Sequence, residues 1–236
     1  MTDKQMSNVI KTAKEIETIS RAAALGDRCF SHILGFIEPG MTEKQIAEEI
    51  ERFLYEGGAE GLAFDTISVS GERSCLPHGE PTDKVIQKGE FLTLDFGAVI
   101  DGYCGDMTRT VAIGFVTDEM KRVYDTVLEA QLAAIDFIKA GVACFDADKV
   151  ARDIIVNAGY GEYYPHGLGH GVGTLVHEAP TLNSKSSEIL EKDMVITIEP
   201  GIYIPNKFGV RIEDLAIVTD FGIINKVESK KDLIIL

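Results

Sequence analysis

Asp95, Asp106, His170, Glu199 and Glu213 are the residues of this chain best suited to hold metal ions. Each lies in a short segment that reads as a strand or as the tight turn at a strand's end. Four carboxylates and one imidazole gathered at one point carry more negative charge than a protein interior tolerates. Without cations to hold them, such carboxylates cost several kcal/mol each or take up protons. Oxygen-rich ligation with a single histidine suits two hard or borderline divalent ions, manganese, cobalt or zinc.

Strand geometry tests whether the ligands can meet. Leu92 to Phe96 alternates, Asp101-Gly102 is a hairpin turn signal, and Tyr103 to Val111 returns. A two-residue loop there sets Asp95 opposite Thr108, with Asp106 as the diagonal neighbour on the same face, in reach of a shared ion. The second pair behaves alike. Met194 to Ile198 reads as an apolar strand ending at Glu199-Pro200-Gly201, and another begins at Gly209. Arg211 and Glu213 are two residues apart in it, so both side chains point to one face.

Between the pairs lies Pro165 to Pro180, with His166, His170 and His177 among four glycines. The i, i+4 spacing of His166 and His170 would suit a zinc helix, but Gly167 and Gly169 argue for an extended chain, which also sets both rings on one face. The glycines are expected to admit something bulky or charged close to the backbone. His32, inside an N-terminal helical stretch, reads as structural.

Five motifs in order carry a resemblance: Asp95-Phe96-Gly97, Cys104 to Thr110, His166 to Pro180, Thr197 to Tyr203, and Arg211-Ile212-Glu213-Asp214. Together they resemble the pita-bread dinuclear metallopeptidases, the family of methionine aminopeptidases, aminopeptidase P and prolidase. The resemblance runs from about residue 13 to the C-terminus. Pro77-His78-Gly79, Tyr103 to Thr110 and Arg211 to Asp214 look like the Xaa-Pro branch, whereas methionine aminopeptidases lack an arginine two residues before the last glutamate. The resemblance implies that Asp95 chelates one ion, that His170 and Glu199 bind the other, and that Asp106 and Glu213 bridge. It implies further that His78, His166 and His177 position substrate and stabilise or protonate the tetrahedral intermediate. Arg211 is expected to anchor Glu213 or the substrate backbone. Tyr203 matches a substrate-side tyrosine or is a core aromatic. Thr108, Thr110 and Asp214 are expected as supports. Two positions depart from the usual motifs, Gly105 for serine and Thr174 for leucine, and neither is a ligand.

The implied activity is release of an N-terminal residue from peptides, Xaa-Pro peptides foremost, with manganese as the expected ion. Methionine aminopeptidase is the alternative, and a non-catalytic pita-bread binding module the alternative of another class. Peptides are the expected partners, and a homodimer is compatible with the pattern.

Two α-helical pairs must carry these strands. Phe36 to Gly40 precedes a helix with the capping box Thr42-x-x-Gln45 and apolar Ile46, Ile50, Phe53 and Leu54, stopped by Gly57-Gly58. Phe137 to Gly141 precedes a second, with Val150, Ile154 and Ile155 apolar, stopped by Gly159. The expected class is α+β, two pseudo-symmetric ααβ halves around a central curved antiparallel sheet, in agreement with the resemblance. No linker-like composition interrupts 1–236, so one catalytic domain is expected, with a polar segment over 1–12 and without the N-terminal domain that Xaa-Pro relatives carry.

At 236 residues and 45% apolar content the chain can bury a large core. A net charge of −15 argues against nucleic-acid or anionic-membrane partners. The first residues lack an apolar leader core, and no apolar run reaches the ~18 residues of a membrane span. Cys29, Cys75, Cys104 and Cys144 show no pairing pattern, so a cytoplasmic protein with free thiols is expected.

Overall fold

The computed structural model of the chain describes residues 8–236; of the polar segment expected over 1–12, residues 1–7 lie outside the described ones. The first half opens with α1 (Ala13–Phe36) and α2 (Glu43–Glu56). Each starts at a threonine. Thr12 and Thr42 accept the N–H of Glu15 and Gln45, whose side chains in turn accept the cap N–H, so two otherwise orphaned donors are satisfied at each start. α2 buries Ile46, Ile50 and Leu54 fully, each worth about 1.5–3 kcal/mol. It stops at Gly57, with Gly58 beyond at φ +99°.

Strands β1 (Gly61–Leu62), β2 (Ile67–Ser70), β3 (Phe91–Phe96), β4 (Ala98–Ile100), β5 (Tyr103–Cys104) and β6 (Met107–Ala112) follow. The hairpin register is the expected one. Asp95 faces Thr108 across β3 and β6, and Ile100 faces Tyr103 across β4 and β5. Asp101 and Gly102 close the loop at φ 47° and 79°, the doubly positive turn whose twist matches the strands it joins.

The second half repeats the plan with α3 (Asp118–Phe137), α4 (Cys144–Asn157), β7 (Gly169–Gly171), β8 (Glu178–Leu182), β9 (Val195–Ile198), β10 (Gly201–Ile204), β11 (Phe208–Arg211), β12 (Asp214–Val218) and β13 (Ile223–Asn225). α1 and α3 both end at a phenylalanine, and Gly40 and Gly141 after them both take positive φ. The antiparallel set β2–β3–β6 matches β7–β9–β12, and the hairpin β4–β5 matches β10–β11. The α+β class and its two ααβ halves are thus as expected. α4 differs in its core face: Val150 and Ile154 are only half-buried, and the buried stripe is Cys144, Ala147, Asp148, Ala151 and Ile155.

The central sheet is not one unbroken ladder, for the strands group into sets of five, three, three and two. The ladders break at Gly97, at Gly105-Asp106, at Glu199-Pro200 and at Ile212-Glu213. A Cβ on Gly97 would lie 2.0 Å from the carbonyl oxygen of Gly105, so the two chains cross there only because one residue has no side chain. The halves meet along β6. Glu213 N–H donates to Thr108 O at 3.1 Å, and the Thr110 hydroxyl accepts from Arg211 N–H at 3.2 Å and donates to Arg211 O at 3.0 Å. Buried Arg109 adds donations to the carbonyls of Thr108 and Glu213 and to Asp214 Oδ1. The core under the first half takes Val172, Val195, Leu215 and Ile217 from the second. Among the described residues no helix is long and apolar enough to cross a membrane.

Candidate metal centre

The fold turns its two pairs of ladder breaks toward one cleft of about 690 Å³. Asp95, the last residue of β3 to pair with β2, lies two residues before Gly97 and Glu199 follows β9 two residues before Gly201, while Asp106 and Glu213 immediately precede β6 and β12. The carboxylates therefore occupy equivalent places in the two halves. His170, at the middle of β7, adds the imidazole. One ligand atom each of Asp106, His170 and Glu213 lies within 4.8 Å of the other two. Asp95 and Glu199 flank this group. Arg211 Nη2 donates to Asp95 Oδ2 at 2.5 Å, and His170 Nε2 stands 3.1 Å from Glu199 Oε1 and 3.8 Å from Asp106 Oδ2.

His170 is held in the orientation that ligation needs. Its Nδ1 lies 3.1 Å from Gly171 O, and a carbonyl only accepts, so Nδ1 carries a proton and Nε2 faces the carboxylates. The backbone N–H of His170 donates to the Thr197 hydroxyl at 3.0 Å, which donates to Glu199 Oε1 at 2.9 Å. No helix forms over 166–170, as expected, but only Gly169–Gly171 is strand, with bends at His166 and Leu168 before it. The expectation for its glycines is corrected. A Cβ on Gly169 would lie 2.1 Å from Thr197 O, and one on Gly171 2.1 Å from Ala179 O. These glycines let β7 sink between its neighbouring strands; the close approach is to backbone, not to a ligand.

The electrostatics follow from crowding. Burial, then the charges of Glu213, Asp95 and Glu199, holds Asp106 well above the usual carboxylate range. Burial, then Glu199 and Asp95, does the same to Glu213. Burial also raises Asp95, against the charge of Arg211. Glu199 goes the other way: its burial is outweighed by the hydrogen bond and charge of His170, and its pKa falls to about 2. Burial opposes the imidazolium of His170, yet the same partner leaves its pKa raised. Asp95 Oδ1 is buried with no hydrogen-bond partner. Oxygen donors with one imidazole, an orphaned carboxylate oxygen and carboxyls that resist ionising are what a hard or borderline divalent cation relieves, so these residues fit one.

Arg211, the last residue of β11, organises the near wall. Its Nε donates to the Thr108 hydroxyl at 3.1 Å, which donates to Glu213 Oε2 at 2.5 Å; Nη1 donates to Tyr203 at 2.9 Å and to Pro77 O at 3.2 Å. Thr108 and Thr110 are supports, as expected, and so is Asp214, bound by Arg109 and by Lys231. The Tyr203 hydroxyl also lies 2.8 Å from His166 Nε2, while His166 Nδ1 donates to Gly167 O at 2.7 Å. Both ring nitrogens of His166 are thereby engaged. Burial lowers the pKa of His166, and burial, then the charge of His170, lowers that of His177. The ring of His177 packs edge-on to His170 with centroids 4.4 Å apart.

Nine of the ten residues singled out from sequence line the cleft, His78, His166, His177 and Arg211 together with the five ligand candidates; Tyr203 sits behind them on His166 and Arg211. His32 is structural, bound to Glu49 and stacked on Phe53. Two supports went unread in the sequence. Buried Glu43 accepts from Ser70, Arg73 and Thr82 and straps the loop that carries His78. On α4, Asp148 accepts Leu168 N–H, and Arg152, paired with Asp148, donates to His166 O. The i, i+4 spacing of Asp148 and Arg152 was the available signal, and nothing local marked Glu43.

Comparison with known proteins agrees with this geometry. The profile of metallopeptidase family M24 matches residues 17–220. The chain is 47% identical over 228 residues to the uncharacterized peptidase YqhT of Bacillus subtilis (strain 168), covering 97% of this chain and 65% of that protein. A solved structure described as an Xaa-Pro dipeptidase from Bacillus anthracis superposes with a TM-score of 0.96 at 50% identity, covering 97% of this chain and 64% of the other. One described as an X-Pro aminopeptidase from Thermotoga maritima MSB8 gives 0.94 at 43% identity, covering 97% and 65%. The fold is the pita-bread fold, and the chain spans about two thirds of the length of these relatives.

Proposed function

The chain belongs to metallopeptidase family M24, and from that premise we propose that it hydrolyses the N-terminal residue from peptides, Xaa-Pro peptides foremost. The observation that carries the reading is the convergence of Asp106, His170 and Glu213 in one cleft, with Asp95 and Glu199 beside them and three further histidines on the wall. Asp95, Asp106, His170, Glu199 and Glu213 would hold two divalent ions, manganese in the first instance, with cobalt and zinc to be compared. Such ions supply Lewis acidity, which polarises a scissile carbonyl and acidifies water.

The chain's own groups do the rest. Arg211 holds Asp95 directly and Glu213 through Thr108, so both carboxylates keep their aim. His177 and His78 face the cleft and are the groups that would donate to developing charge on the substrate carbonyl or pass a proton to the leaving nitrogen. His166, engaged by Gly167 and Tyr203, acts as a fixed wall, and Tyr203 serves substrate through it and through Arg211. An Xaa-Pro amide has no N–H to bind, so recognition must rest on the shape of the ring. The two Bacillus and Thermotoga structures named for Xaa-Pro and X-Pro substrates support that choice. Because the first core cluster takes side chains from both halves, we treat 1–236 as one catalytic unit. Four free cysteines suit a cytoplasmic setting.

A side-by-side rate comparison decides the substrate: an Xaa-Pro dipeptide, an Xaa-Pro tripeptide and a Met-Gly peptide, each with Mn²⁺ and with Co²⁺. Cleavage of the Xaa-Pro substrates first is expected. Preference for Met-Gly would move the chain to the methionine aminopeptidase reading. Cleavage of none, with a macromolecule bound instead, would make it a binding module.

A further inference from the structure

Lys11 Nζ and Glu178 Oε2 meet at 3.0 Å with both side chains 1% exposed. Taking both charges out of water is costly, so such a pair persists only where its geometry is tightly held. Lys11 is held from behind: Ile10 bridges Met194, and Lys11 N–H donates to Asp193 O at 2.9 Å. Its ammonium also donates to Asn8 O at 2.5 Å.

Glu178 directly follows His177 and opens β8. Its other oxygen accepts from the Thr174 hydroxyl at 3.2 Å and from Leu175 N–H at 3.0 Å. The segment between His170 and His177 is therefore closed on this one carboxylate, and Cys104 N–H pins it again through Gly173 O at 2.8 Å. At the end of that segment stands the His177 ring, packed on His170. Glu178 itself lines the cleft, yet among the described residues its oxygens accept from Lys11, Thr174 and Leu175. Loss of the Lys11 charge would favour a turn of this carboxylate toward the cleft that it lines, and such a turn would carry Thr174, Leu175 and His177 with it.

We propose that Lys11 and Glu178 are positioning residues for His177, which fix its ring against His170 and keep a further carboxylate out of the metal centre. The inference rests on the reading in which His177 acts on substrate in the cleft.

Lys11→Met, Lys11→Arg and Glu178→Gln test it, each loaded with Zn²⁺ and checked for metal content. Two quantities are read: kcat and KM on the peptide that the unaltered chain cleaves best, and the ring resonance of His177 by NMR, assigned through His177→Gln. Lys11→Met and Glu178→Gln are expected to lower kcat about 10- to 100-fold, the size of lost outer support to a metal site, with KM and metal content nearly unchanged. The His177 resonance moves in both, and Lys11→Arg recovers most of the loss. If Lys11→Met does not fold, Glu178→Gln, which keeps its shape and an acceptor for Leu175, carries the comparison. Unchanged kcat with an unmoved His177 resonance would overturn the inference. If the unaltered chain cleaves no peptide, the functional reading fails, while the His177 resonance still decides the positioning role.

Discussion

Replacing Asp106 by asparagine removes a negative charge and leaves the shape. In the folded chain this carboxylate is buried among Glu213, Asp95 and Glu199, with Arg211 as the opposing charge, and its pKa is held well above the ordinary value. A carboxyl so raised contributes stability that is complete below its unfolded pKa of ~3.9 and is lost as pH rises through the folded value. At pH 7 in strong chelator, the unaltered chain bears a penalty that Asp106→Asn lacks, and the variant should melt no lower than the parent. Divalent ions reverse the order. An ion that binds only the folded state adds about 2.7 kcal/mol at a hundredfold excess over its Kd. At roughly 2–4 °C per kcal/mol for a chain of this size, that linkage raises the parent's melting temperature by about 5–11 °C. Asp106→Asn lacks one of three converging donors and should lose most of the gain. Thermal melts of both proteins in EDTA and across a Mn²⁺ titration measure the crossover. A variant that melts below the parent by the same margin in both conditions would show that Asp106 stabilises the fold through packing, and the cation reading of the cluster would fall.

Arg211→Met strips Asp95 of its only cation within 4 Å among the described residues and should cost about 3–5 kcal/mol in chelator by urea denaturation, less with metal bound; an unchanged midpoint would contradict the role given to Arg211. Burial holds His166 and His177 below the ordinary 6.5, so both stay neutral at pH 7 and the acid limb of activity should lie below pH 6.5. A limb above pH 6.5 would point instead to His170, whose pKa is raised and whose protonation releases metal; a profile flat from about pH 5 to 9 would mean that no histidine limits the rate. Tyr203, raised to about 12 chiefly by burial, stays a hydroxyl at any working pH. Tyr203→Phe leaves Arg211 Nη1 and His166 Nε2 each short of a partner and should cost about 1–3 kcal/mol, read as a shifted denaturation midpoint at an unchanged slope.

The sequence by itself determined whatever depends on local periodicity. An Asp-Gly loop of two residues leaves one register for β3 and β6, which puts Asp95 opposite Thr108. A spacing of two in an extended chain puts Arg211 and Glu213 on one face, and both do reach Thr108. The glycines excluded a helix over His166 to His170, and the motifs indicated the family. Only the tertiary structure decided the long-range partners. Lys11 finds Glu178, Glu43 gathers Ser70, Arg73 and Thr82, and Tyr203 stands behind the cleft wall. Gly169 and Gly171 make room for strands, and Thr174, a departure from the motif at a non-ligand position, supplies a hydroxyl to Glu178. Buried charge explains the division: a lysine or glutamate reads as surface in any local window, because its partner arrives from a distant stretch of chain, the same half for Glu43 and the other half for Lys11, and becomes visible only once the chain has folded.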